Sequence, residues 1–281
     1  MSSDSRLPEQ YRDGRNLEAR IRLHERCSSN PAGLHPWLLA QIDLPSQASV
    51  LELGCGVGSF WAANGDRIPP GWRVTLTDLS PGMVSEAERR LGGKRPGLTF
   101  ATADAEALPF PDATFDAVFA HFMLYHIDDR PRAIREMARV LRPGGRLYAG
   151  TNGTRHMHEA RLLAMQAGLM LPAEVAAGDA VAFSLENGAD QLRMAFTDVA
   201  LRRYDDRLVV TEAEPLLAYL LSTGMVQAEL GRLEPEVQQR CMAALGALID
   251  RRLTTDGQVI VAKDSGVFIA RPRTVHPPAS T

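Results

Sequence analysis

Ser49-Val50-Leu51-Glu52-Leu53-Gly54-Cys55-Gly56-Val57-Gly58 decides how this chain is read. The apolar run predicts a buried strand over Ser49 to Leu53, and the glycines predict a tight turn at Gly54 into a following helix. Such a turn brings bare backbone N–H groups to a helix start, where phosphate is ordinarily held. Glu52 opposes that use, because a carboxylate repels a pyrophosphate and attracts an ammonium or a sulfonium. The spacing agrees. A dinucleotide fingerprint, G-x-G-x-x-G, needs a glycine three residues after its second one, and the chain has Ser59 or Trp61 there. The expected ligand is a nucleotide bearing positive charge, and an NAD-dependent oxidoreductase is the most distant reading.

Two further segments repeat the pattern. Trp72 to Asp78 reads as a second strand ending in an acid, with Ser80 as N-cap and Pro81 at the first helical position. The separation of Gly54 and Asp78 is close to that at which a βαβ unit delivers an acid to a ribose diol. Leu98 to Ala101 reads as a third strand, with Asp104 just past its end, where a carboxylate can accept from an adenine amino group. Three strands thus place three acids on one edge. Singly, each is more often a solvated loop acid or a cap.

With these residues in view the chain resembles the class I S-adenosylmethionine-dependent methyltransferases, and within them the small-molecule group described as methyltransferase type 11. The likeness runs from about Val50 to Thr151. It rests on Glu52-x-Gly54-x-Gly56-x-Gly58, Asp78-Leu79-Ser80-Pro81-Gly82-Met83, Ala103-Asp104-Ala105, Phe115-Asp116-Ala117-Val118 and Val140-Leu141-Arg142-Pro143-Gly144-Gly145. The resemblance implies a Rossmann-like, doubly wound, mostly parallel seven-stranded sheet with an N-terminal helical segment and a helical cap inserted after strand 5. It implies S-adenosyl-L-methionine as cofactor, with the glycine loop under its methionine part and Glu52 near the amino group. Asp78 would hold the ribose, Leu79 and Met83 flank the adenine, and Asp104 with the Ala105 N–H read the adenine edge. Ala120 and His121 would line the methionine side, and Tyr11 and Arg20 of the N-terminal segment are candidate contacts.

The implied divisions are a lid segment over 1–45, a cofactor-binding core over 46–151, a substrate cap over 152–197, the C-terminal part of the core sheet over 198–271, and a disordered tail over 272–281. Asn16 is the expected cap of a first helix carrying Leu17, Ile21 and His24, and a second helix is expected from Trp37 to Ile42. The helix with Ile134, Met137 and Leu141 is expected to run to Pro143. Met157, Met165, Met170 and Met194 suit an adaptable cap, although methionines fill cores more often than they mark sites. Val199 to Val210 and Val259 to Ala270 are expected strand regions of the same sheet. Between them Thr211 and Glu214 suggest a capping box for a helix ending near Gly224, and another helix is expected from Pro235.

Composition narrows the function classes. A chain of 281 residues, 45% apolar and 23% charged, is an ordinary globular protein able to bury a large core. A net charge of −3, with scattered arginine pairs, supplies no basic face for nucleic acid. Cys27, Cys55 and Cys241 have neither metal-site spacing nor an even count. No metal, nucleic-acid partner or membrane span is therefore expected, and the expected setting is the cytoplasm; the oligomeric state is left open.

The expected reaction is displacement at a sulfonium methyl by an O, N or C nucleophile of a small organic acceptor, with secondary metabolism as the expected setting. Alignment and exclusion of water govern such a step, and a base is needed only where the nucleophile must lose a proton. Candidate bases follow the fourth and fifth strands: His121, Tyr125 and His126, then His156, His158 and Glu159. His156 is the first choice, with His126 beside it. Two other classes stay open: a protein that binds S-adenosylmethionine without methyl transfer, as a sensor or a rearrangement enzyme, and a macromolecule methyltransferase.

Overall fold

The structure, a computed structural model, describes residues 14–93, 96–177 and 182–273. It divides into two units: a sheet unit made of Leu34–Gly153, Ala182–Tyr204 and the stretch from Ser265, and a helical unit made of the chain up to Gly33, Thr154–Val181 and Asp205–Asp264.

In the sheet unit seven strands form the order β3-β2-β1-β4-β5-β9-β6. They are β1 (Gln47–Leu53), β2 (Gly71–Asp78), β3 (Leu98–Thr102), β4 (Phe115–His121), β5 (Leu141–Asn152), β6 (Phe196–Tyr204) and β9 (Ser265–Pro272). The first five are mutually parallel, and β9 runs antiparallel between β5 and β6. Helices α2 (Leu34–Ala40), α3 (Ser59–Asn64), α4 (Pro81–Leu91), α5 (Arg130–Val140) and α8 (Gly188–Leu192) complete the unit. The central strands β1 and β4 are buried along most of their length because both sheet faces are covered there. The period of two sends Val50, Val74, Leu76, Ala117 and Phe119 to one face, against α2, α3 and α4. It sends Leu51, Leu53, Val118 and Ala120 to the other, against Ile134 and Met137 of α5. Chain order reverses between β1 and β4, so the ligand crevice of this unit lies beyond the carboxyl ends of those two strands.

Local signals explain the starts of α4 and α5. The Ser80 hydroxyl accepts from Met83 N–H, and Pro81 opens α4. The Asp129 carboxylate accepts from Arg132 N–H at 3.1 Å to start α5. That helix stops at Val140, not at Pro143: Leu141 already pairs with Phe115, and a register shift over Arg142–Gly145, with Gly144 at φ +82°, carries the chain to Arg146 opposite Ala117. The second helix starts earlier than expected, at Leu34, because Pro36 is tolerated in a first turn where its missing N–H costs nothing.

In the helical unit β7 (Arg207–Val210) and β8 (Val259–Ala262) form their own antiparallel pair. Around it stand α1 (Gly14–Cys27), α6 (His158–Gln166), α7 (Pro172–Ala177), α9 (Ala213–Leu221), α10 (Gly224–Leu230) and α11 (Pro235–Asp256). Leu23, Met157, Leu216, Leu220, Leu245 and Val261 are among its core residues.

Several expected boundaries move as a result. Residues 198–271 are not one part of the main sheet, because β7 and β8 bond to each other while only β6 and β9 extend the seven strands. The expected cap, 152–197, is likewise shared: of its described residues, 154–177 belong to the helical unit and 182–197 to the sheet unit. The lid segment 1–45 parts at Gly33. Asn16 lies inside α1, not at its start. Glu212, whose side chain makes no capping bond, precedes α9 where a Thr211 capping box was expected, and a new helix begins at Gly224. Pro272, expected in the tail, pairs with Phe196, and residues 274–281 lie outside the described residues.

Candidate functional site

At the end of β1, Gly54, Gly56 and Gly58 all take left-handed backbone, with φ of +67°, +53° and +74°. L-residues rarely hold that conformation, so the alternating glycines are a requirement of the turn. A Cβ on Gly54 would stand 2.7 Å from Met123 Cβ, and one on Gly58 2.5 Å from Leu91 Cδ1; one on Gly56 would meet nothing within 4 Å. The outer two glycines let the protein close on itself. The middle one leaves open space over its backbone.

Asp78, at the end of β2, fastens that middle glycine: Oδ2 accepts from Gly56 N–H and Oδ1 from Ser80 N–H, each at 2.9 Å. Burial nevertheless raises its carboxyl pKa, with Glu52 adding to the rise and the N–H donors opposing it. Each oxygen keeps a further lone pair, enough to accept from a vicinal diol. Beyond β3, Asp104 Oδ1 accepts from Glu106 N–H at 2.9 Å, folding the loop back so that Ala105 is buried and Asp104 half-buried. Leu79 and Met83 are half-buried between these two acids in sequence, at and just after the end of β2.

Glu52 points to the α3 face of the sheet and is buried. Its Oε2 accepts from the Trp61 indole N–H, and its Oε1 lies 3.4 Å from His121 Nδ1. That His121 contact lacks hydrogen-bond geometry, and both His121 ring nitrogens are buried without a hydrogen bond. The rings of Phe60 and Phe119 stand 5.0 Å and 5.4 Å from the imidazole. Trp61, Phe60 and Phe119 were not singled out from the sequence. The signal for Trp61 was there: it opens the helix that follows the glycine loop, on the face that must cover β1. Ala120, adjacent to His121, faces the opposite side of the sheet in the core, so only its backbone is available to a ligand. Burial, Glu52 and Asp78 push the Cys55 thiol well up, so it stays protonated.

The remaining expected residues separate. Tyr11 lies outside the described residues. Arg20 donates to the Ser222 carbonyl at 2.6 Å, joining α1 to the end of α9 within the helical unit. His126 ends a short turn, Leu124–His126, on the surface of the sheet unit, with its ring edge-on to Tyr125 at 4.5 Å. His158 is half-buried at the start of α6, and the neighbouring Glu159 accepts from Ala262 N–H at 2.7 Å, a structural bond. His156 is buried in the helical unit, where burial, His24, Lys263 and Arg161 hold its pKa well below the usual histidine range. It therefore keeps a proton poorly, and its Nδ1 is buried without a hydrogen bond. Met157 and Met170 serve as core of that unit, whereas Met194 is exposed on the sheet unit. Among the described residues no group of three or more His, Cys, Asp or Glu is placed to hold a metal ion, and no helix is long and apolar enough to cross a membrane.

Strand order β3-β2-β1-β4-β5-β9-β6 with β9 reversed, a left-handed glycine turn after β1 and acids at the ends of β1, β2 and β3 are the fold of the class I S-adenosylmethionine-dependent methyltransferases. The family described as Methyltransferase domain, Methyltransf_11, matches residues 51–149 of this chain. The chain is similar to a ubiquinone/menaquinone biosynthesis C-methyltransferase of Hahella chejuensis, 41% identical over 102 residues that cover 36% of this chain and 41% of the relative. It is similar also to a demethylmenaquinone methyltransferase of Beutenbergia cavernae, 43% identical over 105 residues, covering 37% and 41%. The chain thus spans about two fifths of the length of these relatives. A phosphoethanolamine N-methyltransferase of Haemonchus contortus, solved with S-adenosyl-L-methionine, shares the fold with TM-score 0.59 at 17% identity, over 97% of this chain and 60% of that one.

Proposed function

We propose that this protein binds S-adenosyl-L-methionine and transfers its methyl group to an O, N or C nucleophile of a small organic acceptor. The observation that carries this reading is the Gly56 cradle: a left-handed glycine with open space above it, held by the Asp78 carboxylate through its own N–H. The residues suit the group. Asp78 would take the ribose hydroxyls, Asp104 and the Ala105 N–H the adenine edge, Leu79 and Met83 the adenine faces, and the Gly54–Gly58 turn with Glu52 and His121 the methionine end. When bound, the cofactor supplies an electrophilic methyl group on sulfur. Glu52 then contributes negative charge beside the cationic end, and its fixed partner Trp61 keeps the carboxylate from turning away. Phe60 and Phe119 keep water from His121 and Glu52, which strengthens that attraction.

The family match at 51–149 falls wholly inside the sheet unit, so acceptor choice does not carry over from the relatives' names. A small acceptor is favoured by the net charge of −3, which gives no attraction for nucleic acid. His156 is the first candidate base and His126 the second.

The test incubates the full chain with methyl-labelled S-adenosylmethionine and a cell extract, then separates label by molecular size. New label in a small molecule is expected. Label in protein or nucleic acid would move the reading to a macromolecule methyltransferase, and cofactor binding with no transfer to any extract would favour a sensor or rearrangement enzyme. Asp78→Asn is expected to weaken cofactor binding by about tenfold or more, read by calorimetry, since one charge-assisted acceptor is lost.

A further inference from the structure

The chain leaves β4 through a strained residue. Phe122 holds left-handed backbone at φ +57°, a conformation that a bulky side chain takes only at a cost and that glycine takes freely. Such outliers persist where their surroundings hold them in place, and they gather at functional sites. Here the Phe122 N–H donates to the Gly150 carbonyl of β5 at 2.8 Å. Met123, next in the chain, closes on Gly54.

The turn changes where the ring goes. Successive side chains of a regular strand take opposite faces, so Phe122 would follow Ala120 to the side covered by α5. Instead Phe122 packs on the same core as Phe60 and Phe119, whose rings flank His121. His121 and Phe122 thus share the face that also carries Glu52. Gly150 makes room for both: a Cβ there would stand 3.3 Å from His121 Cδ2 and 3.5 Å from Phe122 Cε2. Phe122 is half-buried, and among the described residues its ring meets no other ring. Glu52, Gly54, His121, Phe122 and Gly150 all belong to the sheet unit.

A glycine would make this turn without strain, so what the position gains from phenylalanine is the ring. An aromatic face attracts a cation that lies over it, and more strongly where water is excluded. The methionine end of the cofactor carries two cations. Glu52, fixed by Trp61, matches the ammonium, and the sulfonium is left without a charged partner. We infer that the ring of Phe122 is the face against which the sulfonium lies, so that Phe122 distinguishes the charged methyl donor from its neutral sulfide product. The inference rests on the S-adenosylmethionine reading above and adds to it the group that senses charge at sulfur. Once the methyl group has left, the sulfur is neutral and that attraction is gone, which favours release of the product over the donor.

The experiment measures, by calorimetry on the full chain, the Kd for S-adenosylmethionine and for S-adenosylhomocysteine, and reads their ratio. Phe122→Leu keeps an apolar side chain but no aromatic face, and is expected to lower the preference for the sulfonium about fivefold. Phe122→Tyr keeps the face and should keep the ratio. Pentafluorophenylalanine at position 122 keeps the ring's shape and inverts its quadrupole, and should lower the preference at least as far as leucine does. Simple loss of packing would weaken both ligands alike. Equal weakening of the two ligands, or a ratio unchanged by leucine and by the fluorinated ring, overturns the assignment of Phe122. Should Phe122→Leu fail to fold, the fluorinated protein decides alone. A wild type that binds neither ligand would instead overturn the cofactor reading itself.

Discussion

Acidification should unfold the helical unit through His24, and the size of the effect follows from its surroundings. Burial first, and then Lys263, push the His24 pKa from 6.5 to about 3, with Asp206 opposing. Below pH 6.5 the unfolded chain takes up a proton that the folded chain refuses until about pH 3, so stability falls as pH drops through that window. The whole gap is worth at most about 5 kcal/mol, of which about 2.7 kcal/mol is lost by pH 4.5. The perturbation is His24→Gln, which keeps a polar side chain of similar reach and does not titrate. Urea unfolding followed by circular dichroism at 222 nm suits the case, because six of the described helices belong to this unit. Between pH 7.5 and 4.5 the wild type is expected to lose about 2.5 kcal/mol more than the variant. An equal loss in both proteins, within about 0.5 kcal/mol, would refute the assignment of a neutral His24 in the folded chain.

Other substitutions separate fold from ligand. Gly56→Ala should cost about 1–2 kcal/mol from its left-handed backbone alone, with no clash, yet weaken S-adenosylmethionine binding about tenfold or more; thermal unfolding and calorimetry read the two effects. Gly54→Ala, whose Cβ would stand 2.7 Å from Met123 Cβ, should lose clearly more stability than Gly56→Ala, and an equal loss would contradict the packing described. Trp61→Phe leaves the buried Glu52 carboxylate without its indole donor and should cost about 1–3 kcal/mol by urea unfolding. Lys263→Met strands the buried Asp206 carboxylate and should cost about 3–5 kcal/mol at pH 7, with part of the loss recovered at low pH, where the carboxyl is protonated.

The segments with strong local character were legible in the chain itself. The period of apolar residues gave the parallel strands, and Ser80-Pro81 and the alternating glycines gave the turns that follow β1 and β2, because these are choices a few neighbouring residues settle by sterics and hydrogen bonding. The carboxylates of Asp78 and Asp104 were found for the same reason: a strand's end fixes the edge on which its next residue lies. What the sequence could not disclose depends on partners far along the chain. That Val199 to Val210 splits between two sheets was decided by β8 competing for β7, and β-branched residues read alike in either sheet. Trp61 reaching Glu52, Met123 closing on Gly54, and His24 stacking on His156 across 132 residues are contacts made by packing alone. The chain determined the glycine turn and the acids at its strand ends, because neighbouring residues settle both; only the tertiary structure decided that His156, the expected base, is buried with its ring stacked on His24, because that contact joins segments far apart in sequence.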